Sequence, residues 1–186
     1  MKICNSKEEF EKELNQEVTA PKVKKSYTKD QMKDILTLAD NYAKNNSTCK
    51  KTAVGCYIVS ETEWRKVLAK GCNNAEVSCK EEGCLREQQF GSNSKEHRAT
   101  CRCYGNHAEQ DALKKLEQVD LTGCSAFVTR YPCDECSKAL IKAGIKLVVY
   151  GREFPISEAA EKAFNEAGIE VVHLADWNCD KDDTNN

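Results

Sequence analysis

The sequence predicts an α/β protein, a three-layer α/β/α sandwich built around a mixed five-stranded sheet. Two observations lead to this fold class. A helical segment is followed by two strand segments that a short polar connection joins, which is typical of an antiparallel hairpin. Helical and strand segments then alternate along the rest of the chain, which is typical of a sheet with helices packed on its faces.

The first helix and the hairpin follow from local patterns. Thr28 and Gln31 form a capping-box pattern at the start of the helix. Residues 53–60 have the composition of a buried strand, and residues 64–70 follow as its partner across the polar connection 61–63. The helix is supported by apolar residues at helical spacing, namely Met32, Ile35, Leu36, Ala39, Tyr42 and Ala43.

The second half of the chain is predicted to alternate helix and strand. Asn106 is predicted to cap a helix over residues 107–119, and Gly144 to end a helix over residues 133–143. Ser157 is predicted to cap the last helix, which stops at Gly168. The strands between and after these helices are predicted at residues 125–130, 145–150 and 169–174.

The predicted domain organisation has three parts. Residues 1–26 form an N-terminal arm, residues 27–176 form the folded domain, and residues 177–186 form a polar C-terminal tail. Residues 71–105 are a cysteine-rich insertion within the domain, because they are too long for an ordinary connection and carry no sustained apolar period. Such a segment requires a function or an internal staple.

Composition and charge restrict the class of function. A formal net charge of -2 and a pI near 6.0 give no basic footprint for phosphate backbones, so a small substrate is favoured and nucleic-acid binding is not expected. No apolar run is long enough to span a membrane, and the start is too polar for a secretory signal, so we expect a cytoplasmic protein. In that compartment the 12 cysteines indicate metal ligation or thiol chemistry rather than disulfides.

Four side chains form a pattern that indicates zinc catalysis. His107 and Glu109 are separated by one residue, and Cys133 and Cys136 follow at the start of the next predicted helix. One imidazole and two thiolates supply three ligands to Zn²⁺ and leave the fourth tetrahedral position to water, whose pKa the metal lowers. Glu109 is suited to act as general acid and base, and the spacing H-x-E with P-C-x-x-C is the signature of zinc nucleobase deaminases.

From about Lys29 to Leu174 the chain resembles deoxycytidylate (dCMP) deaminases of the cytidine/deoxycytidylate deaminase superfamily. The resemblance implies a cytidine deaminase-like fold, hydrolytic deamination of dCMP to dUMP for dTMP supply, and a homo-oligomer. The motifs that carry it are Thr48-Cys49-Lys50-Lys51 before Val54-Gly55, Gly71-Cys72-Asn73-Asn74, Gly83-Cys84-Leu85-Arg86-Glu87, Cys101-Arg102, His107-Ala108-Glu109-Gln110, Val148-Val149-Tyr150 and Ala167-Gly168-Ile169-Glu170-Val171.

The resemblance also implies substrate contacts. Asn73 would hydrogen-bond the sugar, while Val54 and the Ala108 backbone would line the base pocket. Tyr131, directly before the Pro132-Cys133 pair, offers an aromatic face for a pyrimidine. A nucleotide also needs a cation for its phosphate, and the candidates in the matched segments are Arg86, Arg98, Arg102 or Lys51.

Three residues depart from the pattern of dCMP deaminases. Asn74 replaces a turn glycine that these enzymes use around a regulatory nucleotide site, which puts control by dCTP and dTTP in doubt. Asp111 stands where they usually have asparagine, and we expect it to alter hydrogen bonding around the ligands without contacting the zinc. Asn106 replaces an apolar residue directly before His107.

The insertion contains a candidate for a second, structural zinc site. Cys79 and Cys84, followed by His97 and Cys101, form two pairs whose spacings suit zinc. A closed four-ligand site would order a segment with little apolar content. Free thiols are the alternative interpretation, and other possible ligands are Cys49, Cys72 and Cys103.

Two further functions fit the sequence. A deaminase of the same superfamily could act on a modified dCMP, a nucleoside, another base or tRNA, and a substrate panel separates these. A non-catalytic, zinc-stabilised regulatory or binding module is the other alternative, and the presence of Glu109 argues against it.

Overall fold

A five-stranded sheet forms the centre of the fold in the computed structural model, which describes residues 27–63, 66–75, 78–91, 105–153 and 158–177. The strand order is β2-β1-β5-β6-β7. Strand β1 is antiparallel to β2 and β5, whereas β5, β6 and β7 are parallel, so the predicted mixed sheet is confirmed. The strands are β1 (Gly55–Val59), β2 (Val67–Cys72), β5 (Ser125–Arg130), β6 (Leu147–Arg152) and β7 (Glu170–His173).

Helices cover both faces of this sheet, which confirms the three-layer α/β/α sandwich. Tyr57 and Phe127 point into one apolar cluster with the first helix, and their neighbours Ile58 and Val128 point into a second cluster on the other face. This alternation is the period of two expected for strands buried on both sides. The helices are α1 (Lys29–Asn46) on the first face and, on the second, α4 (Ala108–Lys114), α5 (Asp134–Lys142) and α6 (Glu158–Glu166).

Helix α1 begins at the predicted capping box. The Thr28 hydroxyl accepts from the Gln31 amide at 3.3 Å, and the Gln31 side chain accepts from the Thr28 amide at 2.9 Å. Further along α1, the buried carboxylate of Asp40 pairs with Arg152 at 2.6 Å and with Lys44 at 3.1 Å. Because Arg152 lies at the end of β6, this ion pair joins α1 to the sheet.

Two glycines allow helices to approach the sheet closely. A Cβ at Gly71 in β2 would lie 2.1 Å from the carbonyl oxygen of Ala108 and 2.5 Å from the amide nitrogen of Ala112, both in α4. A Cβ at Gly55 in β1 would lie 2.1 Å from the carbonyl oxygen of Ala39 in α1. The backbone of each helix therefore rests directly on a strand at these points.

Several predicted boundaries differ from the structure. The N-cap of α4 is His107 and not Asn106, because Asn106 belongs to a short extended pair of strands. Helix α4 ends at Lys114, before the predicted end at residue 119, and irregular turns follow Lys114. Strand β2 runs to Cys72, two residues beyond the predicted end. The predicted cap Ser157 lies outside the described residues, while the end of α5 near Gly144, with φ of 85°, is confirmed.

The predicted insertion begins and ends at a two-stranded sheet that the sequence did not predict. In it, β3 (Asn74–Ala75) pairs with β4 (Gly105–Asn106). The described residues between them include two short helices, α2 (Cys79–Glu82) and α3 (Leu85–Phe90). The start and the end of the insertion are therefore held side by side, immediately before His107.

The packed part of the chain extends one residue beyond the predicted domain boundary. Trp177, which the sequence assigned to the tail, is 7% exposed and donates from its ring nitrogen to the Thr37 hydroxyl of α1 at 3.1 Å. Its ring covers Gly151 of β6, where a Cβ would lie 2.1 Å from a ring carbon. Residues 1–26 and 178–186, the predicted arm and the rest of the predicted tail, lie outside the described residues. Within the described part of the chain, no helix is both long and apolar enough to cross a membrane.

Candidate metal centre and active site

Two helix starts bring the three predicted ligands together. His107 is the N-cap of α4, and Cys133 is the N-cap of α5, which follows the carboxyl end of β5 after a short connection. Cys136 lies one turn into α5 and is fully buried. Because the starts of α4 and α5 lie close together, the imidazole and both sulfurs converge.

The geometry of these atoms fits a tetrahedral zinc ion. His107 Nδ1 lies 3.4 Å from the sulfur of Cys133 and 3.4 Å from that of Cys136, and all three atoms lie within 4.8 Å of one another. Ligands at typical Zn–S and Zn–N distances in tetrahedral geometry would be about 3.6 Å apart. Among the described residues, one group of potential ligands is close enough together to hold a metal ion, and it consists of His107, Cys133 and Cys136.

The electrostatics of the sulfur pair favour thiolate formation. Hydrogen bonding from Cys136 lowers the pKa of the Cys133 thiol to about 4, and with the help of His107 it outweighs the opposing effect of burial. The same hydrogen bond between the two sulfurs, together with burial, raises the pKa of Cys136. A lowered pKa favours the thiolate of Cys133, which is the form that binds a metal.

Glu109 lies beside the ligands in a buried position. It is 4% exposed, and its carboxyl group interacts with the side chain of Cys136. The charges of His107 and Cys133 also act on this carboxyl group. Burial raises the pKa of Glu109 above its ordinary value, against the lowering effects of the backbone and His107. A carboxyl group that is protonated more readily than in water is suited to carry a proton in both directions.

The predicted sugar and base residues Asn73 and Val54 are in direct contact. Asn73 Oδ1 accepts from the Val54 amide at 2.8 Å and lies 2.8 Å from the hydroxyl of Ser47, while Asn73 Nδ2 donates to the Thr52 carbonyl at 2.9 Å. Ala108, the third predicted contact, is fully buried at the start of α4. Asn73 therefore organises the chain that enters β1. Sequence reasoning missed Ser47 and Thr52, because a serine after a helix and a threonine in a loop carry no distinguishing pattern.

Tyr131 packs within the core. It is 6% exposed, and its ring lies edge-on to Tyr150 at 4.9 Å between centroids and to Phe164 at 6.4 Å. These contacts are the core packing that its aromatic side chain allows as an alternative to stacking on a pyrimidine. Contact of Tyr131 with a base stays a prediction.

Among the phosphate candidates, Lys51 is the one whose side chain is described. Its ammonium group lies 3.6 Å from a carboxylate oxygen of Glu87 in α3. Arg86 lies in the same helix, but its side chain is outside the described part of the structure, as are Arg98 and Arg102. An ion pair with Glu87 holds Lys51 near α3 and does not identify a phosphate site.

Two of the four candidate ligands for a second zinc are described. Cys79 and Cys84 are both buried, at the first residue of α2 and directly before α3. His97 and Cys101 lie outside the described residues, as does the alternative ligand Cys103. A second zinc therefore stays a prediction.

An α/β/α sandwich that carries this ligand set beside a buried glutamate defines the class of zinc-binding deaminases. The chain belongs to the family described as the cytidine and deoxycytidylate deaminase zinc-binding region, whose profile matches residues 29–152. That family binds zinc, in agreement with the geometry at His107, Cys133 and Cys136.

Similar proteins include two curated relatives and a solved structure. The chain is 33% identical to ComE operon protein 2 of Bacillus subtilis (strain 168) over 133 residues, which is 69% of this chain and 63% of that protein. It is 34% identical to the deoxycytidylate deaminase of Mycobacterium phage D29 over 117 residues, which is 60% of this chain and 87% of that protein. The match thus spans a little under two thirds of the length of the Bacillus protein.

The solved structure is the dCMP deaminase of cyanophage S-TIM5 in complex with dCMP and dUMP. It superposes with a TM-score of 0.59 at 25% sequence identity, covering 80% of this chain and 100% of that chain. This likeness supports the sandwich fold.

Proposed function

We propose that this protein is a zinc-dependent deaminase that hydrolyses dCMP to dUMP and ammonia. The observation that carries the proposal is the convergence of three ligand atoms within 4.8 Å, beside a glutamate that is 4% exposed. The relatives named deoxycytidylate deaminase and the cyanophage enzyme in complex with dCMP and dUMP support dCMP as the substrate. As the resemblance implies, we expect a homo-oligomer.

In this proposal His107, Cys133 and Cys136 hold the zinc ion. When bound, zinc supplies Lewis acidity that makes water a competent nucleophile near neutral pH. The buried position of Cys136 and the low pKa of Cys133 support their role as thiolate ligands. The protein contributes a fixed geometry, because both sulfurs and the imidazole belong to helix starts that pack on the sheet.

Glu109 moves the protons of the reaction. Its carboxylate takes a proton from water as the oxygen attacks C4 of the cytosine ring, and it delivers that proton to the ring nitrogen. The proton of the new hydroxyl group on C4 then passes to the exocyclic nitrogen, the C4–N bond breaks, and ammonia leaves as the uracil carbonyl forms. The raised pKa of Glu109 supports this role, since both protonation states must be accessible.

Asn73 has the hydrogen-bonding capacity that a sugar contact requires. A side-chain amide offers two N–H donors, and one of them is used by the Thr52 carbonyl. The second can donate to a sugar hydroxyl, while Val54 and the Ala108 backbone border the base. The cation for the phosphate is chosen from Lys51, Arg86, Arg98 and Arg102, and single substitutions to Met would identify it through a rise in KM for dCMP but not for deoxycytidine.

The proposed structural zinc at Cys79, Cys84, His97 and Cys101 is tested by metal content. Two zinc ions per chain in the purified protein, and one in a Cys84→Ser variant, are the expected results. One zinc ion per chain in the unmodified protein would contradict the second site.

The function itself is tested by ammonia release from a substrate panel. Zinc-loaded protein is assayed with dCMP, CMP, cytidine, deoxycytidine and 5-substituted dCMP, and dCMP is expected to have the highest kcat/KM. A higher kcat/KM for a modified dCMP or a nucleoside would overturn the choice of substrate. Absence of activity on every member would favour a non-catalytic zinc module.

The role of Glu109 is tested with a substitution that preserves shape. Glu109→Gln is expected to retain the zinc and to lower kcat by about 10²- to 10⁴-fold, because proton transfer contributes that much to such reactions. Glu117→Gln, at an exposed position beyond α4, is the control and should keep full activity. Full activity in Glu109→Gln would show that another group carries the proton.

A further inference from the structure

One side chain of α4 and one directly after it form hydrogen bonds with the backbone of strand β2. Asp111 Oδ2 accepts from the Cys72 amide at 3.1 Å, and Lys115 Nζ, just beyond the helix, donates to the Lys70 carbonyl at 2.7 Å. The two side chains also pair with each other at 2.9 Å. Among the described strands, β2 lies at the edge of the five-stranded sheet, where backbone groups otherwise lack a partner strand.

The residues of α4 that contact β2 directly have small side chains. Ala108 and Ala112 lie over Gly71 of β2, while Leu113 and, just beyond the helix, Leu116 pack into the apolar cluster on this face of the sheet. Small side chains over a glycine permit close approach but offer few atoms that resist sliding. Hydrogen bonds are directional, so the bonds of Asp111 and Lys115 to the strand edge define where along β2 the helix sits.

The same short helix carries the proposed proton carrier. Helix α4 has seven residues and begins directly after His107, and Asp111 lies two residues after Glu109. The Asp111 amide donates to the His107 carbonyl at 2.9 Å, so both ends of this turn are connected. Any shift of α4 along β2 therefore moves the Glu109 carboxylate relative to Cys133 and Cys136, which belong to α5.

We propose that Asp111 and Lys115 are positioning residues, which fix α4 to the edge of β2 and thereby set the Glu109 carboxylate against the metal ligands. Asp111 is partly buried, with 14% of its side chain exposed, and a carboxylate accepts from both the amide and the ammonium group. The asparagine usual at this position in dCMP deaminases would accept from the Cys72 amide but would lose the charge pair with Lys115.

The test compares Asp111→Ala, Asp111→Asn and Lys115→Met, with Lys162→Met as matched control. Lys162 pairs with Glu166 at 3.7 Å with the same spacing of four residues, on the exposed face of α6. The measurements are kcat and KM for dCMP, zinc content, and hydrogen exchange at Cys72 and at residues 108–114. Exchange reports the attachment of the helix independently of activity.

Asp111→Ala is expected to retain zinc, to speed exchange at Cys72 and residues 108–114, and to lower kcat by about 10- to 100-fold, with KM changed less than about threefold. Asp111→Asn should recover kcat to within about threefold of the unmodified protein, because it still accepts from Cys72, and Lys115→Met should fall between. Lys162→Met should match the unmodified protein.

Unchanged kcat in Asp111→Ala together with faster exchange would overturn the proposal, as would an equal loss in Lys162→Met. If Asp111→Ala does not fold, Lys115→Met decides, and unchanged kcat and exchange in that variant refute the positioning role. The kinetic part rests on the proposed function. If the unmodified protein does not deaminate dCMP, the proposed function is wrong, but hydrogen exchange still tests the attachment of α4. Unaltered exchange at residues 108–114 in Asp111→Ala would refute that attachment.

Discussion

Replacing Gly71 by alanine should damage both catalysis and stability. The added Cβ would lie 2.1 Å from the Ala108 carbonyl oxygen and 2.5 Å from the Ala112 amide nitrogen. A tolerable carbon–oxygen contact is about 3.3 Å or longer, so α4 must move away from β2 by about 1 Å. Because both contacting atoms are backbone atoms, no side-chain rotation can relieve the clash.

This movement has two separate costs. Overpacking of this kind lowers the free energy of unfolding by about 1–3 kcal/mol, which corresponds to a fall in Tm of about 3–10 °C for a chain of this size. Displacing Glu109 by about 1 Å should lower kcat on the order of 100-fold. The assays are thermal unfolding of the zinc-loaded protein and ammonia release at saturating dCMP.

Gly151→Ala provides a matched control. Its Cβ would also lie 2.1 Å from its nearest neighbour, but that neighbour is the ring of Trp177 on the face of the sheet that α1 covers. It should lower Tm by a similar amount and leave kcat within about threefold. If Gly71→Ala keeps normal kcat, or if both variants lose kcat equally, then the position of α4 over Gly71 does not control the chemistry.

Two further predictions concern the attachment of α1. Arg152→Met should lower the free energy of unfolding, measured in urea, by about 3 kcal/mol, the lower end of the range for a broken buried ion pair. The reason is that the buried carboxylate of Asp40 then keeps only Lys44 among the partners described above. A loss below about 1 kcal/mol would mean that Arg152 is not needed to offset the burial of this carboxylate. Trp177→Ala should cost about 3–5 kcal/mol, and Trp177→Phe only about 1 kcal/mol for the hydrogen bond to Thr37. Equal losses in the two Trp177 variants would refute the assignment of most of the energy to ring packing.

The sequence predicted the architecture because its periodic segments coincide with buried faces. The cap at Thr28 and the strand at Ser125–Arg130 were placed correctly, since each follows from local hydrogen bonding or from a continuous apolar run. The convergence of His107, Cys133 and Cys136 was also predictable, because the ligand spacings and the alternation of helix and strand bring two helix starts together.

The remaining features depend on contacts between distant segments. Asn106 is a residue type that is favoured at N-caps, yet it pairs with Asn74 in the extended conformation. Its side-chain oxygen accepts a hydrogen bond from Lys114 at 2.6 Å. The bonds from Asp111 and Lys115 to the edge of β2 join segments about forty residues apart and follow no spacing rule. Trp177 was assigned to the tail because the residues after it are polar, whereas a single large ring suffices to extend the packed region.

The short ladder of β3 and β4 has a consequence for how this protein can diverge. Asn74 stands opposite Asn106, so the two ends of the segment that joins them lie side by side. For such a loop the entropic cost of closure rises only slowly with length, by about 0.6 kcal/mol for each doubling. Insertions, deletions or new ligand-binding features can therefore accumulate between the two strands while the neighbouring histidine keeps its place.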